Sequence, residues 1–392
     1  MHIGQLPALR RREFLRRASM MGVAAQAAPF ALQMASIGEA AAQTQAPGYR
    51  ALVCVFLYGG NDYGNTLVPY DAASWNAYAS IRQALATPRD ALAATALVPR
   101  NPLPGGRQMA LAPQMTRMRG LFDAGRLGVL LNVGTLVQPT TLAQYKAQSV
   151  PLPPKLFSHN DQQSVWQASN PEGATTGWGG RIGDLFLSSN ANAAFTCINA
   201  SGNAVFMSGR QAMQYQIATS GAVPINGVVR PVYGSQACAD ALRSLLTGAR
   251  NHWMEQELAR VASRSISAQA QVGTALLSQR ALTTSFDPAN SLAQQLQIVA
   301  RMIAARSSLG VSRQVFFVSL GGFDLHDFLP TQHPALLAKV SDALGSFYDA
   351  TVELGVADSV TTFNWSSGGR TLGSGTPRVT ARAATWSMAS CP

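Results

Sequence analysis

The sequence has few charged residues and few lysines, and these shortages argue against a nucleic-acid-binding protein. Only 12% of the 392 residues are charged, and lysine supplies three of the 30 basic residues. The arginines are scattered and form no basic run interleaved with aromatic residues, which is the usual footprint of such proteins. The diffuse formal charge of +11 suits an anionic small molecule or a cell-envelope polymer as the substrate.

Cysteines are also scarce, and their spacing argues against structural zinc sites and thiol redox centres. The chain has four cysteines and no Cys-x-x-Cys pair. No Gly-x-Gly-x-x-Gly follows a candidate strand, so the common dinucleotide-binding motif is missing too. Cys54 lies inside an apolar run and is expected to be a buried apolar side chain. In an exported protein Cys197 and Cys238 could form a disulfide, but their spacing alone does not establish one.

No apolar run reaches the roughly 20 residues that span a bilayer, yet the N-terminus carries an export pattern. Arg11 and Arg12 begin a twin-arginine motif, residues 20–32 are apolar, and residues 40–42 are small. This is the typical order of a signal peptide, although an ordinary amphipathic helix is the alternative. We therefore expect residues 1–42 to be a signal read by the twin-arginine export machinery. The mature chain would be periplasmic or otherwise exported, without a stable membrane span.

Short apolar runs alternate with helical patterns along the rest of the chain. Residues 51–58 and 315–320 are β-rich runs that end at paired glycines, whereas residues 114–124 and 292–307 place apolar side chains at helical spacing. This alternation predicts an α/β domain with a mostly parallel central sheet flanked by helices. The residues around 235–285 are rich in alanine, arginine, glutamine and serine and predict a partly exposed helical insert.

The two strands that end in glycine pairs carry the clearest functional signal, because ligands bind beyond the carboxyl ends of parallel strands. Asp62 follows the first glycine pair, and Asp324 and His326 follow the second. His159 and Asp161 repeat the alternation of histidine and aspartate in another loop. Carboxylates and imidazoles that converge on one point suit a divalent metal such as Zn²⁺, Mn²⁺ or Fe²⁺. The alternative is ordinary turn chemistry, in which the aspartates cap turns.

Three further side chains are assigned catalytic or substrate-binding roles. Thr66 carries the hydroxyl nearest to Asp62 along the sequence and is the candidate catalytic nucleophile, which needs a metal or a base to activate it. Asn61 and Arg370 are the candidate substrate-binding residues. His333 is expected to be an ordinary surface or helix-start residue.

Four segments, taken in order, resemble the motifs of a known family. They read FLYGGNDYGNTLVPY, SHNDQQSVWQ, GWGGRIGD and VSLGGFDLHD. They are similar to exported bacterial proteins grouped as domain of unknown function 1501, over about residues 50–371, and that family resembles the alkaline phosphatase and sulfatase superfamily. The resemblance implies an alkaline-phosphatase-like fold and a metal-centred site at the strand ends, formed by Asp62, His159, Asp324 and His326. It implies no particular substrate.

The C-terminus departs from the pattern of that family. The resemblance implies a Ser-acidic-Phe-Gly-Arg-Thr motif after the last strand. Residues 366–371 instead read SSGGRT, and no acidic residue or histidine follows Asp358. Residues 372–392 show neither a strand nor a helix pattern and are expected to be an aberrant, disordered tail. We hypothesise that the reading frame has shifted within residues 365–377, which would leave the sheet and the site incomplete. The coding DNA tests this hypothesis.

Two functions are consistent with these observations. The first is an exported, metal-dependent hydrolase of an anionic phosphate or sulfate ester, which is inactive if the C-terminal change has removed part of its site. The second is a non-catalytic extracytoplasmic binding or assembly protein on the same fold. A catalytic metal site needs at least three ligands around one point, so the geometry separates the two. The predicted boundaries are 1–42 for the signal, 43–371 for the domain and 372–392 for the tail.

Overall fold

A computed structural model describes residues 48–156, 158–231, 233–366 and 383–388. The chain divides into two compact units. The small unit includes Thr135–Leu156, and the large unit is formed by Tyr49–Gly134 and Phe157–Pro392 as far as they are described. In its described residues the small unit contains the short helix Leu142–Ala147, and the central sheet and the candidate site belong to the large unit. The predicted signal lies outside the described residues.

Most of the strands join one eight-stranded sheet, whose order is β4-β10-β9-β1-β8-β5-β6-β7. In chain order the strands are β1 (Arg50–Leu57), β2 (Leu67–Pro69), β3 (Met109–Leu111), β4 (Gly128–Val133), β5 (Cys197–Asn199), β6 (Gln214–Ala218), β7 (Gly221–Ala222), β8 (Arg313–Leu320), β9 (Val360–Ser366) and β10 (Ala383–Met388). Strands β9, β1, β8, β5 and β6 are parallel to one another, while β10 and β7 run antiparallel to their neighbours. Strands β2 and β3 form a separate antiparallel pair. The predicted mostly parallel sheet is therefore confirmed.

Helices connect the strands, as the alternating pattern predicted. In chain order the α-helices of the described residues are α1 (Ala72–Arg82), α2 (Thr116–Asp123), α3 (Leu142–Ala147), α4 (His159–Ala168), α5 (Trp178–Phe186), α6 (Gln236–Thr247), α7 (Trp253–Leu277), α8 (Ser291–Ala304) and α9 (Leu329–Glu353). The predicted helical region near residue 235 forms the pair α6 and α7. Helix α9 begins at Leu329, and Pro330 occupies its first turn, where a missing backbone N–H costs little.

Both faces of the central strands are covered, which explains why their sequences are continuously apolar. On one face, Val53 and Val55 of β1 belong to a hydrophobic core that includes the apolar stripes of α8 and α9. On the other face, Phe56 stacks against Phe317 and contacts Trp365, which in turn packs on the indole of α5. Alternate residues of a strand point to opposite faces, so the two cores are built from interleaved positions.

The cysteines of the described residues are free thiols. Cys197 is buried in β5 and Cys238 is exposed on α6, and the two are not joined by a disulfide, which the sequence had left open. Burial raises the pKa of Cys197 to about 12, which keeps its thiol protonated and unreactive at neutral pH. Cys54 is fully buried in β1, as predicted.

The C-terminal segment contributes an element that the sequence did not predict. Residues 383–388 form β10, which pairs antiparallel with both β4 and β9. Backbone hydrogen bonding needs no apolar periodicity, so a strand between two partners can form from a sequence without a strand pattern. The other residues of the predicted tail, 372–382 and 389–392, lie outside the described ranges.

No helix in the described ranges has both the length and the apolar character needed to cross a membrane.

Candidate metal site

Three of the predicted metal ligands meet beyond the carboxyl end of β8. The Nε2 atom of His326 lies 3.0 Å from Oδ1 of Asp324. The Nε2 atom of His159 lies 3.8 Å from Oδ2 of the same carboxylate. One potential ligand atom from each residue lies within 4.8 Å of the other two. The carboxylate of Asp324 therefore lies between two imidazoles, one two residues away in the same loop and one at the start of a helix.

Parallel pairing of β1 and β8 fixes the loop that carries Asp324 and His326. The two strands end in register, with Leu57 opposite Leu320. Beyond their ends, the backbone N–H of Phe323 donates to the carbonyl oxygen of Tyr58 at 3.2 Å. The β8 loop is thus held against the loop that follows β1.

Gly59 makes this close approach of the two loops possible. Its φ of +107° is a conformation that residues with a Cβ rarely adopt, and an added Cβ would lie 2.4 Å from the backbone nitrogen of Asp324. The glycine at the end of β1 is therefore explained by its contact with the residue that supplies the carboxylate.

Helix α4 brings the second imidazole to the site, because His159 is its first residue. Ser158 is the N-cap, and its Oγ accepts a hydrogen bond from the backbone N–H of Asp161. The carboxylate of Asp161 accepts from the Ser158 hydroxyl at 2.7 Å and from the N–H of Glu172 at 3.1 Å. Asp161 is buried and lies outside the three-residue cluster, so its observed contacts stabilise the start of the helix that carries His159.

The three side chains have the chemistry and the solvent exposure that a catalytic divalent metal requires of its ligands. Two imidazoles and one carboxylate form a common ligand set for zinc, iron and manganese. The side chains of His159, Asp324 and His326 are 40%, 46% and 58% exposed. A site so open to solvent leaves room for water or a substrate beside the ligands, which a catalytic metal site requires.

Asp62 occupies a different environment from these three residues. It is 1% exposed and forms an ion pair with Arg82, the last residue of α1. Its other oxygen, Oδ1, has no hydrogen-bond partner among the described residues. Asp62 is not part of the three-residue cluster. No sequence pattern singled out Arg82, because the pairing depends on how α1 packs against the β1 loop.

Thr66 and Asn61 lie in a buried hydrogen-bond network. The hydroxyl of Thr66 donates to the carbonyl oxygen of Asp62 at 2.7 Å, and the amide of Asn61 donates to Thr66 Oγ1 at 3.0 Å. Both side chains are 3% exposed or less. In this arrangement neither side chain meets solvent, so the contacts observed here are structural. Arg370, the other candidate substrate-binding residue, lies outside the described residues.

His333 is an important residue whose role the sequence did not reveal. It lies within α9, is 2% exposed, and its Nε2 is 2.8 Å from Oδ1 of Asn61. The rings of Phe323 and His333 are nearly perpendicular, with a centroid distance of 6.2 Å. The prediction of a surface or helix-start residue was therefore wrong. His333 joins α9 to both glycine-ended loops.

Comparison with known proteins gives a family and no activity. The sequence profile of a family described as protein of unknown function (DUF1501) matches residues 49–378, most of the chain. No curated protein matches the chain.

Proposed function

The chain belongs to the DUF1501 family of proteins of unknown function, and we propose that it is an exported, metal-dependent hydrolase of a phosphate or sulfate ester. The observation that carries the proposal is the meeting of His159, Asp324 and His326 beyond the carboxyl end of a central parallel strand. Ligand sites of open α/β sheets lie at this edge. The likeness to the alkaline phosphatase and sulfatase superfamily is part of the proposal.

Each of the three residues has a distinct part in this proposal. The imidazoles of His159 and His326 would supply neutral nitrogen ligands, and Asp324 would supply the negative charge that favours a divalent cation. A bound metal of this kind polarises an ester oxygen and lowers the pKa of water. Partial exposure of all three side chains lets an anionic ester approach from solvent. The net positive charge of the chain favours such a ligand.

A non-catalytic, extracytoplasmic binding protein is the second candidate, and a specific observation favours it. The proposed nucleophile, Thr66, is 1% exposed and donates its hydroxyl proton to a backbone carbonyl. Asp62 beside it is paired with Arg82. A hydrolase would therefore need a different nucleophile, such as water, at the three-residue cluster.

Metal analysis of the purified chain tests the proposed site. We expect the wild type to bind about one Zn²⁺ or Mn²⁺ per chain, because three ligands converge. Asp324→Ala and His326→Ala should each weaken binding at least about tenfold, since each leaves only two protein ligands. His252→Ala is the control, because His252 caps α7 and lies outside the cluster. Equal metal binding by all four proteins would reject the site.

Activity separates the two candidate functions once metal binding is established. The metal-loaded chain is assayed with p-nitrophenyl phosphate and p-nitrophenyl sulfate. Hydrolysis that is lost in Asp324→Ala and kept in His252→Ala supports the hydrolase. Metal binding without hydrolysis above the Asp324→Ala level supports the binding protein.

Export is tested by replacing Arg11 and Arg12 with lysine, which should leave the chain in the cytoplasm if the twin-arginine machinery carries it.

A further inference from the structure

Helix α9 lies beside both glycine-ended loops and contacts each of them through one buried side chain. His333 is 2% exposed, and its Nε2 atom lies 2.8 Å from Oδ1 of Asn61 in the loop after β1. Its ring also lies against that of Phe323, which directly precedes Asp324 in the loop after β8. One imidazole therefore contacts the two loops whose separation sets the position of a proposed metal ligand.

A neighbouring side chain of α9 supports the same β8 loop. Leu336 follows His333 by three residues, so the two side chains share one side of the helix. An added Cβ at Gly322 would lie 3.5 Å from Cδ2 of Leu336, which is an ordinary van der Waals distance. Gly322 and Phe323 thus both lie against α9, and the helix supports the segment that leads to Asp324.

Asn61 is the residue through which His333 acts on the loop after β1. Its backbone N–H donates to Oγ of Ser366 at 2.7 Å, and its side-chain amide donates to Oγ1 of Thr66 at 3.0 Å. Because the amide nitrogen is the donor to Thr66, the Oδ1 atom of Asn61 is the acceptor and Nε2 of His333 is the donor. An apolar residue at position 333 would leave this buried oxygen without its donor from α9, which is costly.

The loop after β1 in turn fixes the position of the carboxylate. Phe323 donates its backbone N–H to the carbonyl oxygen of Tyr58 at 3.2 Å. Gly59 lies so close to the backbone of Asp324 that no side chain fits between them. A shift of the loop that carries Asn61 is therefore transmitted to Asp324 through backbone contacts. Distances in well-formed metal sites vary by only about 0.2 Å, so a small displacement of this carboxylate weakens binding.

We propose that His333 is a positioning residue of the metal site, an inference that rests on the metal binding of the proposed function. The N–H of its imidazole holds Asn61 and its ring supports Phe323, which keeps the carboxylate of Asp324 between the two ligand imidazoles. His333 is not one of the three clustered residues, so it acts through the two loops. A histidine that only filled the core would affect stability and leave the geometry of the ligands unchanged.

Cobalt binding by the purified full chain tests this role, because Co²⁺ accepts the same ligands as zinc and its visible absorption reports the geometry around the ion. His333→Leu removes the N–H and keeps an apolar side chain. It should weaken Co²⁺ binding at least about tenfold, as the loss of groups that orient metal ligands does, and change the visible spectrum. His333→Gln keeps an N–H donor near the position of Nε2. It should restore binding close to that of the wild type, with the same spectrum.

Val272→Ala is the matched control for loss of stability. Val272 is fully buried in α7, a helix that contacts α6 and β7, and its truncation removes core packing. Urea unfolding measures how much each variant is destabilised. Cobalt binding is measured without denaturant, where circular dichroism verifies that every protein is folded. Val272→Ala should be less stable than the wild type and bind Co²⁺ as tightly.

Weaker binding with an altered spectrum in His333→Leu, and neither change in the other two variants, supports the positioning role. The role is overturned if His333→Leu binds Co²⁺ as the wild type does. It is also overturned if His333→Gln or Val272→Ala loses as much affinity as His333→Leu, because the hydrogen bond would then not explain the loss.

Failure of the metal site itself gives a different result. If the wild type binds no Co²⁺, the metal binding of the proposed function is rejected, and crystal structures of the metal-free wild type and His333→Leu decide the positioning role. A distance from Nε2 of His159 to Oδ2 of Asp324 that stays near 3.8 Å in His333→Leu then overturns the role. A clear separation of these two atoms in that variant alone supports it.

Discussion

At the scale of single residues, the ion pair between Asp62 and Arg82 is the most consequential contact near the candidate site. Both side chains are almost fully buried, at 1% and 2% exposure. Moving two charges out of water is costly, and their mutual attraction offsets that cost only while both remain. Removing one partner leaves an uncompensated buried charge, so the two residues depend on each other for stability.

Arg82→Leu should therefore lower the free energy of unfolding by about 3–5 kcal/mol. Arg119→Leu is the matched control, because Arg119 pairs with Asp123 four residues later while both side chains are more than a third exposed. Such exposed pairs contribute about 0–1 kcal/mol. Urea unfolding measures both changes. Similar losses in the two variants would contradict the buried character of the Asp62 pair.

Glu353 should make the free energy of unfolding depend on pH in the acid range. Hydrogen bonds from the backbone of Thr283, and then from the hydroxyl and backbone of Thr284, lower the pKa of Glu353 to about 2. A carboxylate whose pKa is lowered by folding stabilises the fold at pH values above its pKa in the unfolded chain, about 4.3. This stabilisation is lost as the pH falls towards the folded-state pKa of about 2. Glu353→Gln should therefore be less stable than the wild type at neutral pH, and the difference should shrink across this interval. A difference in urea midpoint that stays constant with pH would contradict this.

At the scale of elements, the motif GWGGRIGD is a packing motif of α5. An added Cβ at Gly180 would lie 2.1 Å from the carbonyl carbon of Ser208, and one at Gly183 would lie 2.3 Å from the sulfur of Cys197. The glycines allow α5 to lie directly against the backbone of the segment near residue 208 and against β5. Their contacts are with the protein itself, so the motif needs no ligand to explain it.

Gly180→Ala should destabilise the protein by about 1–3 kcal/mol, because backbone atoms would have to move. Gly273→Ala in α7 is the matched control, since its nearest neighbour beyond the helix backbone lies 4.0 Å from the added Cβ. Alanine is favoured over glycine within a helix by about 1 kcal/mol, so this variant should be as stable as the wild type or more stable. Thermal unfolding compares the two. A stable Gly180→Ala protein would show that α5 is more loosely packed.

At the scale of the whole molecule, β10 joins the central sheet to β4. The sheet order places β10 between β9 and β4, with Ser387 opposite Phe363 on one side and Gly128 on the other. A strand with partners on both sides uses its backbone groups on both edges. Residues 383–388 therefore lie within the sheet, between β9 and β4.

Ser387→Pro should destabilise the protein by about 3 kcal/mol or more, because proline removes a backbone donor and does not fit within a sheet. Ser387→Ala keeps the amide and should have little effect. Denaturant unfolding measures both variants. An unchanged midpoint for Ser387→Pro would mean that β10 contributes little to the sheet in solution.

The sequence by itself determined the elements that local patterns specify. Continuous apolar runs predicted β1 and β8 because a parallel strand covered on both faces has no polar side. Helical spacing predicted α2 and α8, because apolar side chains three and four residues apart fall on one side of a helix. The residues after the second glycine pair indicated Asp324 and His326 as potential ligands, and the alternation of histidine and aspartate in another segment indicated His159. The structure brings these three together.

The tertiary structure decided which of the polar residues are available for chemistry. Asp62 and Asp324 follow similar strand endings, yet one is buried against Arg82 and the other is exposed between two histidines. His333, expected at the surface, lies in the buried network. These differences come from the order of the strands and the packing of α1 and α9. Such contacts join residues far apart in the sequence, so no local pattern records them.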